Sequence, residues 1–299
     1  MESKFSVSCD KDDVRIDVYL SERLDLPRSQ IKIMIEEGHV RVDGRIPKAS
    51  LKVRKDMGIE GEVIREEPRS LVAEDIPVEI LYEDEYLLVI DKPKDMVVHP
   101  SLGHHSGTLV NAILNHVREE DREGDERPGI VHRLDKGTTG VIIVAKDRKT
   151  QEALSRQFQD RNVEKVYRAV VEGVLKAETG VVEGDIGRHP RERQKMALVS
   201  KNGRYSFSRF AVIERLDGFT YVEVYPKTGR THQIRVHLSH IGHPIVGDEL
   251  YGKRARKLAD RPLLHAHRLA FNHPVSGKRI MVEAPVPADM EDFVKEHHE

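Results

Sequence analysis

Residues 128–146 read Pro128-Gly-Ile-Val-His-Arg-Leu-Asp-Lys-Gly-Thr-Thr-Gly-Val-Ile-Ile-Val-Ala-Lys146. Four β-branched residues in succession, Val141 to Val144, predict a strand buried on both faces. Gly137, Thr138, Thr139 and Gly140 predict a tight approach to it. Asp135, with His132, Arg133 and Lys136 around it, therefore falls on a loop at the mouth of a rigid sheet. The sheet would fix the carboxylate and the loop would expose it, which suits a catalytic group. A plain Asx turn, solvated by its basic neighbours, would use the same residues, so the flanking chain has to decide.

Beyond this stretch, Asp147 to Asp160 sets Ala153, Leu154 and Phe158 at helical spacing, and Val163 to Gly173 is a strand that carries Lys165 and Tyr167. A second polar-apolar run, Tyr221 to Asp248, predicts a strand ending at Pro226, a turn at Gly229 and a helix beginning near Thr231. Gln233 and Arg235 then fall in the first turns of that helix, where backbone amides favour anions and Arg235 adds a full charge. His232 and His237 are five apart, not the four of a zinc-binding H-E-x-x-H helix, so no metal site is expected. His265 and His267 are expected from alternation along a late strand. On the N-terminal side, Ile80 to Pro93 predicts two strands about an acidic turn, and residues 107–118 a helix capped by Thr108.

Residues 14–64 predict a separate small α/β unit. Ile16, Tyr19 and Leu20, then Ile31, Met34 and Ile35, mark two amphipathic helices, the second bounded by Pro27 and Gly38. Val40-Arg-Val-Asp-Gly-Arg-Ile46 predicts a hairpin about Asp43-Gly44. Arg28, Lys32, Arg41 and Arg45 lie off the apolar face. Residues 65–76, charged and aperiodic, are expected to be a linker between a 1–64 domain and a 77–299 domain.

The His132-Arg-Leu-Asp135 string resembles the signature of the RluA-type pseudouridine synthases, with Asp135 at that family's essential aspartate. Asp91-Lys-Pro-x-x-Met-Val-Val-His-Pro100 is similar to the family's opening motif, Lys165-x-Tyr167 to its second, and Tyr221 to Asp248 to its third. Residues 14–64 resemble the S4 RNA-binding domain. The resemblance implies an α+β protein: a catalytic domain on a large mixed, mainly antiparallel sheet flanked by helices and loops, preceded by the small S4-like domain. It implies an isomerase that converts uridine in structured RNA to pseudouridine by base flipping, using Asp135 as nucleophile or electrostatic aid at C1′. Arg235 would hold Asp135 through a bidentate pair, Tyr167 would pack on the uracil, and Arg133 would fill the space left by the flipped base. Lys165 would contact the substrate RNA, the segment 188–204, with Arg188, His189, Arg193 and Lys195, would hold phosphates, and Arg28, Lys32, Arg41 and Arg45 would give a second grip. The pairing of an S4 domain with this catalytic domain is most like the family's large-subunit ribosomal RNA type, acting on free RNA or a pre-ribosomal particle. Transfer RNA as substrate, or an RNA-binding assembly factor without turnover, are the alternatives.

Composition is consistent with this. The 299 residues carry 49 Lys and Arg against 51 Asp and Glu, so an RNA-binding surface has to come from clustering rather than net charge. Basic clusters occur at Arg41–Lys55 and Arg188–Arg204. Cys9 is the only cysteine, which excludes an internal disulfide and fits a reducing compartment. With no apolar run near the roughly 20 residues that span a bilayer, we expect a cytoplasmic monomer that needs no cofactor, no metal and no membrane.

Overall fold

The chain divides into two units, Met1–Ser70 and Leu71–Glu299, in a computed structural model that describes residues 3–63, 71–100, 106–122, 127–192, 194–252 and 257–298. The first unit runs β1 (Ser3–Ser8), β2 (Val14–Arg15), α1 (Ile16–Leu24), α2 (Arg28–Glu36), β3 (Val40–Val42), β4 (Lys52–Val53) and β5 (Gly58–Val63). Ile16, Tyr19 and Leu20 on α1 and Ile31, Met34 and Ile35 on α2 are buried together against Val40, Val53 and Ile59, as their spacing predicts. The hairpin expected at Asp43-Gly44 is only partly formed. Both residues have positive φ, 48° and 77°, as a two-residue hairpin turn demands. The return strand stops after a single bridge, Val42 to Arg45, and β3 pairs instead with β5 in the sheet β1-β5-β3. Pro47 explains this, because it has no N–H to continue a ladder, and Asp43 ties the turn to β5 by accepting from the Gly58 N–H. Arg28, Lys32, Arg41 and Arg45 are all exposed. Arg28 also supports the fold, because together with Arg15 it neutralises Asp17, whose carboxylate is only 7% exposed.

The second unit is a ten-stranded sheet with helices on it. Its strands are β6 (Glu79–Glu83), β7 (Leu87–Lys92), β8 (Thr139–Ala145), β9 (Glu164–Glu172), β10 (Thr179–Arg188), β11 (Met196–Leu198), β12 (Arg204–Leu216), β13 (Phe219–Pro226), β14 (Leu264–Asn272) and β15 (Arg279–Glu283). Helices α3 (Leu109–Ile113), α4 (Arg148–Gln159), α5 (Gln233–His240) and α6 (Ala288–Glu296) complete it. The order is β11-β10-β12-β13-β9-β14-β8-β7-β6, with β15 also on β14. Among the described residues every pairing is antiparallel except β14 with β8. All seven residues of β8 are buried, because alternate side chains serve two cores. Val141 and Ile143 pack with Leu154 of α4 on one face, and Ile142 and Val144 with Leu109 and Ile113 of α3 on the other. Thr108 caps α3 in a reciprocal capping box with Asn111, although the α-helix is shorter than the sequence suggests and finishes as a 3-10 turn.

Several expectations change. Residues 72–76 are hydrogen-bonded into the second unit, the Val72 carbonyl accepting from Asn111 and the Glu74 N–H donating to the Asn111 carbonyl. The basic segment 188–204 contains a strand, since β11 returns along β10 with Arg188 opposite Met196. His265 and His267 do lie on a late strand, β14, and both are buried.

Gly140 marks the crossing of β8 and β14. Its φ is 109°, and a Cβ there would lie 2.2 Å from the Ala266 carbonyl oxygen, so only glycine lets the parallel strands approach.

Candidate active site

One row of backbone positions across the sheet, Gly140, Ala266, Tyr167 and Val224, joins β8, β14, β9 and β13. Asp135 sits just before the first of these strands, and Tyr167 lies on the third. Arg235 is added by α5, which starts after the turn that follows β13. These residues meet on the wall of a cavity of about 740 Å³, which Arg133 and Lys165 also line.

The turn that carries Asp135 is clamped from below. The Thr138 N–H closes it by donating to the Asp135 carbonyl at 3.0 Å. Lys92, fully buried at the end of β7, donates to the carbonyls of Pro93, Met96 and Lys136 at 2.8, 2.9 and 3.2 Å. Three acceptors match the three protons of an ammonium group, while burial and the neighbouring Arg261 charge pull its pKa down to about 7. Arg261 itself, 2% exposed, donates to the Gly137 carbonyl and is neutralised by Asp289. On the N-terminal side, His132 stacks on Phe158 and its Nε2 accepts from the Ile143 N–H. Burial holds that imidazole neutral, with a pKa of about 3.

Arg235 departs from the sequence expectation. Its bidentate partner is Asp248, reached by Nε and one terminal nitrogen at 2.7 and 2.8 Å, and only the other terminal nitrogen reaches Asp135, at 3.1 Å. Asp248 is fully buried and also accepts from the N–H groups of Leu250 and Tyr251, so it is the stronger anchor. Asp135 lines the cavity and is 22% exposed. Burial alone would lower the Arg235 guanidinium, but Asp248 and then Asp135 outweigh it and hold the group protonated. Tyr251 adds a further layer: its ring lies 5.2 Å from the guanidinium carbon and its hydroxyl is 2.9 Å from His232 Nδ1. His232 in turn places Nε2 3.9 Å from Asp135, in a left-handed backbone conformation with φ 56°. The Met196 N–H donates to the same hydroxyl, which joins β11 to this network.

Gln233 fixes the turn between β13 and α5. Its amide oxygen accepts from the Thr228 hydroxyl and the Arg230 N–H, and its amide nitrogen donates to the Phe207 carbonyl and the Ser208 hydroxyl. Burial, followed by the nearby Asp135 charge, pushes the Tyr167 phenol well above its ordinary value, so it keeps its proton at neutral pH. Lys165 donates to the Thr228 carbonyl, and burial with the Arg230 and Arg161 charges brings it down to about 8.

Two buried histidines behind this wall have a measurable consequence. His237 donates from Nε2 to Ser206, whose hydroxyl donates to the Gly184 carbonyl, and His265 Nδ1 meets the Thr139 hydroxyl. Burial lowers both to about 4. A folded pKa below the unfolded value of 6.5 means that the unfolded chain takes the proton first. Stability is therefore intact above pH 6.5 and falls as the pH drops toward 4, by roughly 2 kcal/mol per histidine at pH 5. Urea midpoints measured from pH 7.5 to 4.5 should show this fall, and His237→Gln and His265→Gln should each flatten it.

Comparison with known proteins bears on this arrangement. A family model described as RNA pseudouridylate synthase matches residues 86–240, and an S4 domain model matches residues 14–59. The chain belongs to the RNA pseudouridylate synthase family. An RNA pseudouridine synthase of Chlorobaculum parvum is 42% identical over 301 residues, covering 93% of this chain and 92% of that protein. Ribosomal large subunit pseudouridine synthase D of Pseudomonas aeruginosa is 43% identical over 275 residues, covering 88% and 85%. Among solved structures, human RNA pseudouridylate synthase domain containing 1 superposes with a TM-score of 0.57 at 25% identity, over 75% of this chain and 96% of that one. The synthase is thus an isomerase that acts on RNA, with an S4 domain ahead of its catalytic unit.

The remaining expected contacts are distributed unevenly. Arg188, His189 and Lys195 lie along the β10–β11 hairpin and outside the cavity lining. His189 Nδ1 accepts from the Arg191 and Glu192 N–H groups, and Lys195 pairs with Glu192 at 2.7 Å. Arg193 lies outside the described residues. Arg28, Lys32, Arg41 and Arg45 belong to the first unit. Asp248, Arg261, His232 and Tyr251 have no role that sequence reasoning assigns. Their side chains act through burial and pairing, which no periodicity reveals. No helix among the described residues is long and apolar enough to cross a membrane.

Proposed function

We propose that this synthase isomerises specific uridines of large-subunit ribosomal RNA, with Asp135 acting at C1′ of a flipped nucleotide. The observation that carries this is the 3.1 Å contact of Arg235 with Asp135 on the wall of a cavity that Tyr167 and Arg133 also line. The ribosomal substrate is supported by relatives named for it in Pseudomonas aeruginosa and Xanthomonas campestris.

In the reaction the N1–C1′ bond breaks, the uracil turns in the cavity, and a C5–C1′ bond forms while C5 loses a proton and N1 gains one. Nothing is oxidised and no group is added, so the chemistry asks for neither cofactor nor metal. Asp135 either bonds to C1′ or stabilises positive charge there, and both routes need the fixed rotamer that Arg235 provides. Tyr167, protonated, offers its ring to the uracil face and its hydroxyl for a proton transfer from the ribose. Extruding the nucleotide costs a few kcal/mol, and Arg133, exposed two residues before Asp135, occupies the place that the base leaves. Rigid packing by Lys92, Arg261 and Asp248 keeps the carboxylate in position for this.

The test is to incubate wild type and Asp135→Ala with unmodified large-subunit ribosomal RNA and map pseudouridine at single-nucleotide resolution. New pseudouridine is expected with wild type only. Pseudouridine appearing in transfer RNA instead would overturn the substrate, and free uracil with an abasic ribose would overturn the isomerisation.

A further inference from the structure

We propose that Arg161, Lys165, Arg204 and Arg230 form a binding site for a backbone phosphate of the bound RNA strand, beside the nucleotide at Asp135. This rests on the cavity being the place that receives a uridine. The four side chains line that same cavity, yet they come from four places: the turn after α4, strand β9, the start of β12 and the turn before α5. No charge run in the sequence groups them, so the fold has brought them together.

Like charges so placed repel one another, and natural clusters usually answer this with carboxylates. Here no carboxylate among the described residues lies within ion-pair distance of any of the four, and Asp135 is the only acid on the described lining. Lys165 instead donates to the Thr228 carbonyl and Arg230 Nε to the Tyr205 carbonyl at 3.1 Å. These bonds hold the groups in place and leave their charge uncompensated. The lowered pKa values of Lys165 and Arg230, caused by burial and then by neighbouring arginines, record the same imbalance. A tetrahedral anion with several acceptor oxygens answers it, since guanidinium groups bind phosphate through paired N–H donors.

Arg161 supplies an independent sign. It follows the end of α4, with the Asn162 N–H donating to the Gln157 carbonyl, at a φ of 62°. Glycine is the favoured residue at such a helix exit, and an L side chain is strained there. An exposed arginine kept in that position points to work for its side chain. Spacing identifies the anion as part of a nucleotide chain. Lys165 and Tyr167 are two apart on β9, on one face of the sheet and about 7 Å from each other, so the cluster begins about one backbone step from the ring proposed to meet the uracil.

The experiment measures equilibrium binding of a uridine-containing single-stranded RNA to the full chain carrying Asp135→Asn. The pair Arg161→Ala with Arg204→Ala is compared with Arg148→Ala with Lys149→Ala, which removes two charges from exposed positions at the start of α4, away from the cavity lining. The cavity pair is expected to reduce the slope of log K against log salt by about 0.7, the value for one phosphate contact on a single strand, and to weaken binding about tenfold; the control pair is expected to keep the parent slope. A single neutral methylphosphonate beside the bound uridine should weaken the parent and leave the cavity variant unaffected. Equal slopes for the two variants would overturn the proposal. So would binding of millimolar inorganic phosphate with no methylphosphonate effect, which would make this a free-anion site. Pseudouridine formation by the chain with Asp135 restored, scored separately, distinguishes the two claims. Product with unchanged slopes rejects the phosphate site alone, and slope loss without product retains the site and rejects the synthase chemistry.

Discussion

Asp135→Asn is expected to lower the rate of pseudouridine formation by at least about 10⁴-fold, the scale seen when an attacking group is removed. RNA affinity should change by less than about threefold, because asparagine keeps the shape and most of the cavity surface. Stability should hardly move. Arg235 retains both bonds to Asp248 when Asp135 loses its charge, so no buried cation is orphaned, and we expect the thermal midpoint to shift by less than about 3 °C. Single-turnover kinetics on a mapped site, with a melting curve beside them, check all three statements. A variant that melted far lower than this would show that Asp135 also supports the fold, contrary to the division of labour described here.

Asp248→Ala should do the reverse, damaging the fold first and the chemistry through it. Asp248 is fully buried and accepts four hydrogen bonds, two of them from Arg235. Its removal leaves a guanidinium that is 9% exposed with Asp135 as its only carboxylate partner among the described residues, and breaking one side of a buried pair costs about 3–5 kcal/mol. For a unit of this size that is a fall in thermal midpoint of roughly 6–20 °C. Activity should drop as well, since Arg235 is then free to turn both nitrogens onto Asp135 and close the side that faces the cavity. Replacing the pair together, Arg235→Met with Asp248→Leu, should restore much of the stability and none of the activity. Recovery of both would mean that the pair is packing alone.

The sequence carries the chemistry of this site better than its mechanics. Helices α1, α2 and α4 and strand β8 are legible because burial there follows a regular period, and Asp135, Tyr167 and Arg235 lie in strings whose residue types are unusual together. Asp248 is not legible as a partner, since Gly-Asp-Glu-Leu after an apolar run looks like any turn. The bidentate pair is therefore expected at Asp135. Lys92 and Arg261 hide for a related reason: a long cationic side chain reads as solvent-facing until the backbone carbonyls around it are known. Strand β11, three residues inside a basic segment, has too little apolar pattern to stand out, and its position depends on β10 and on the Tyr251 hydroxyl.

The single parallel contact in the sheet has a bearing on how the molecule is made. Thr139 and His265 are neighbours on β8 and β14 although 126 residues separate them, and Asp135 meets its arginine across 100. Closing loops of that length is entropically costly and slow compared with forming helices or hairpins. During synthesis the motif that bears the carboxylate leaves the ribosome long before β14 can flank it. A nascent chain would therefore carry the chemical group without the chamber, and competence would arrive only with the last third of the polypeptide.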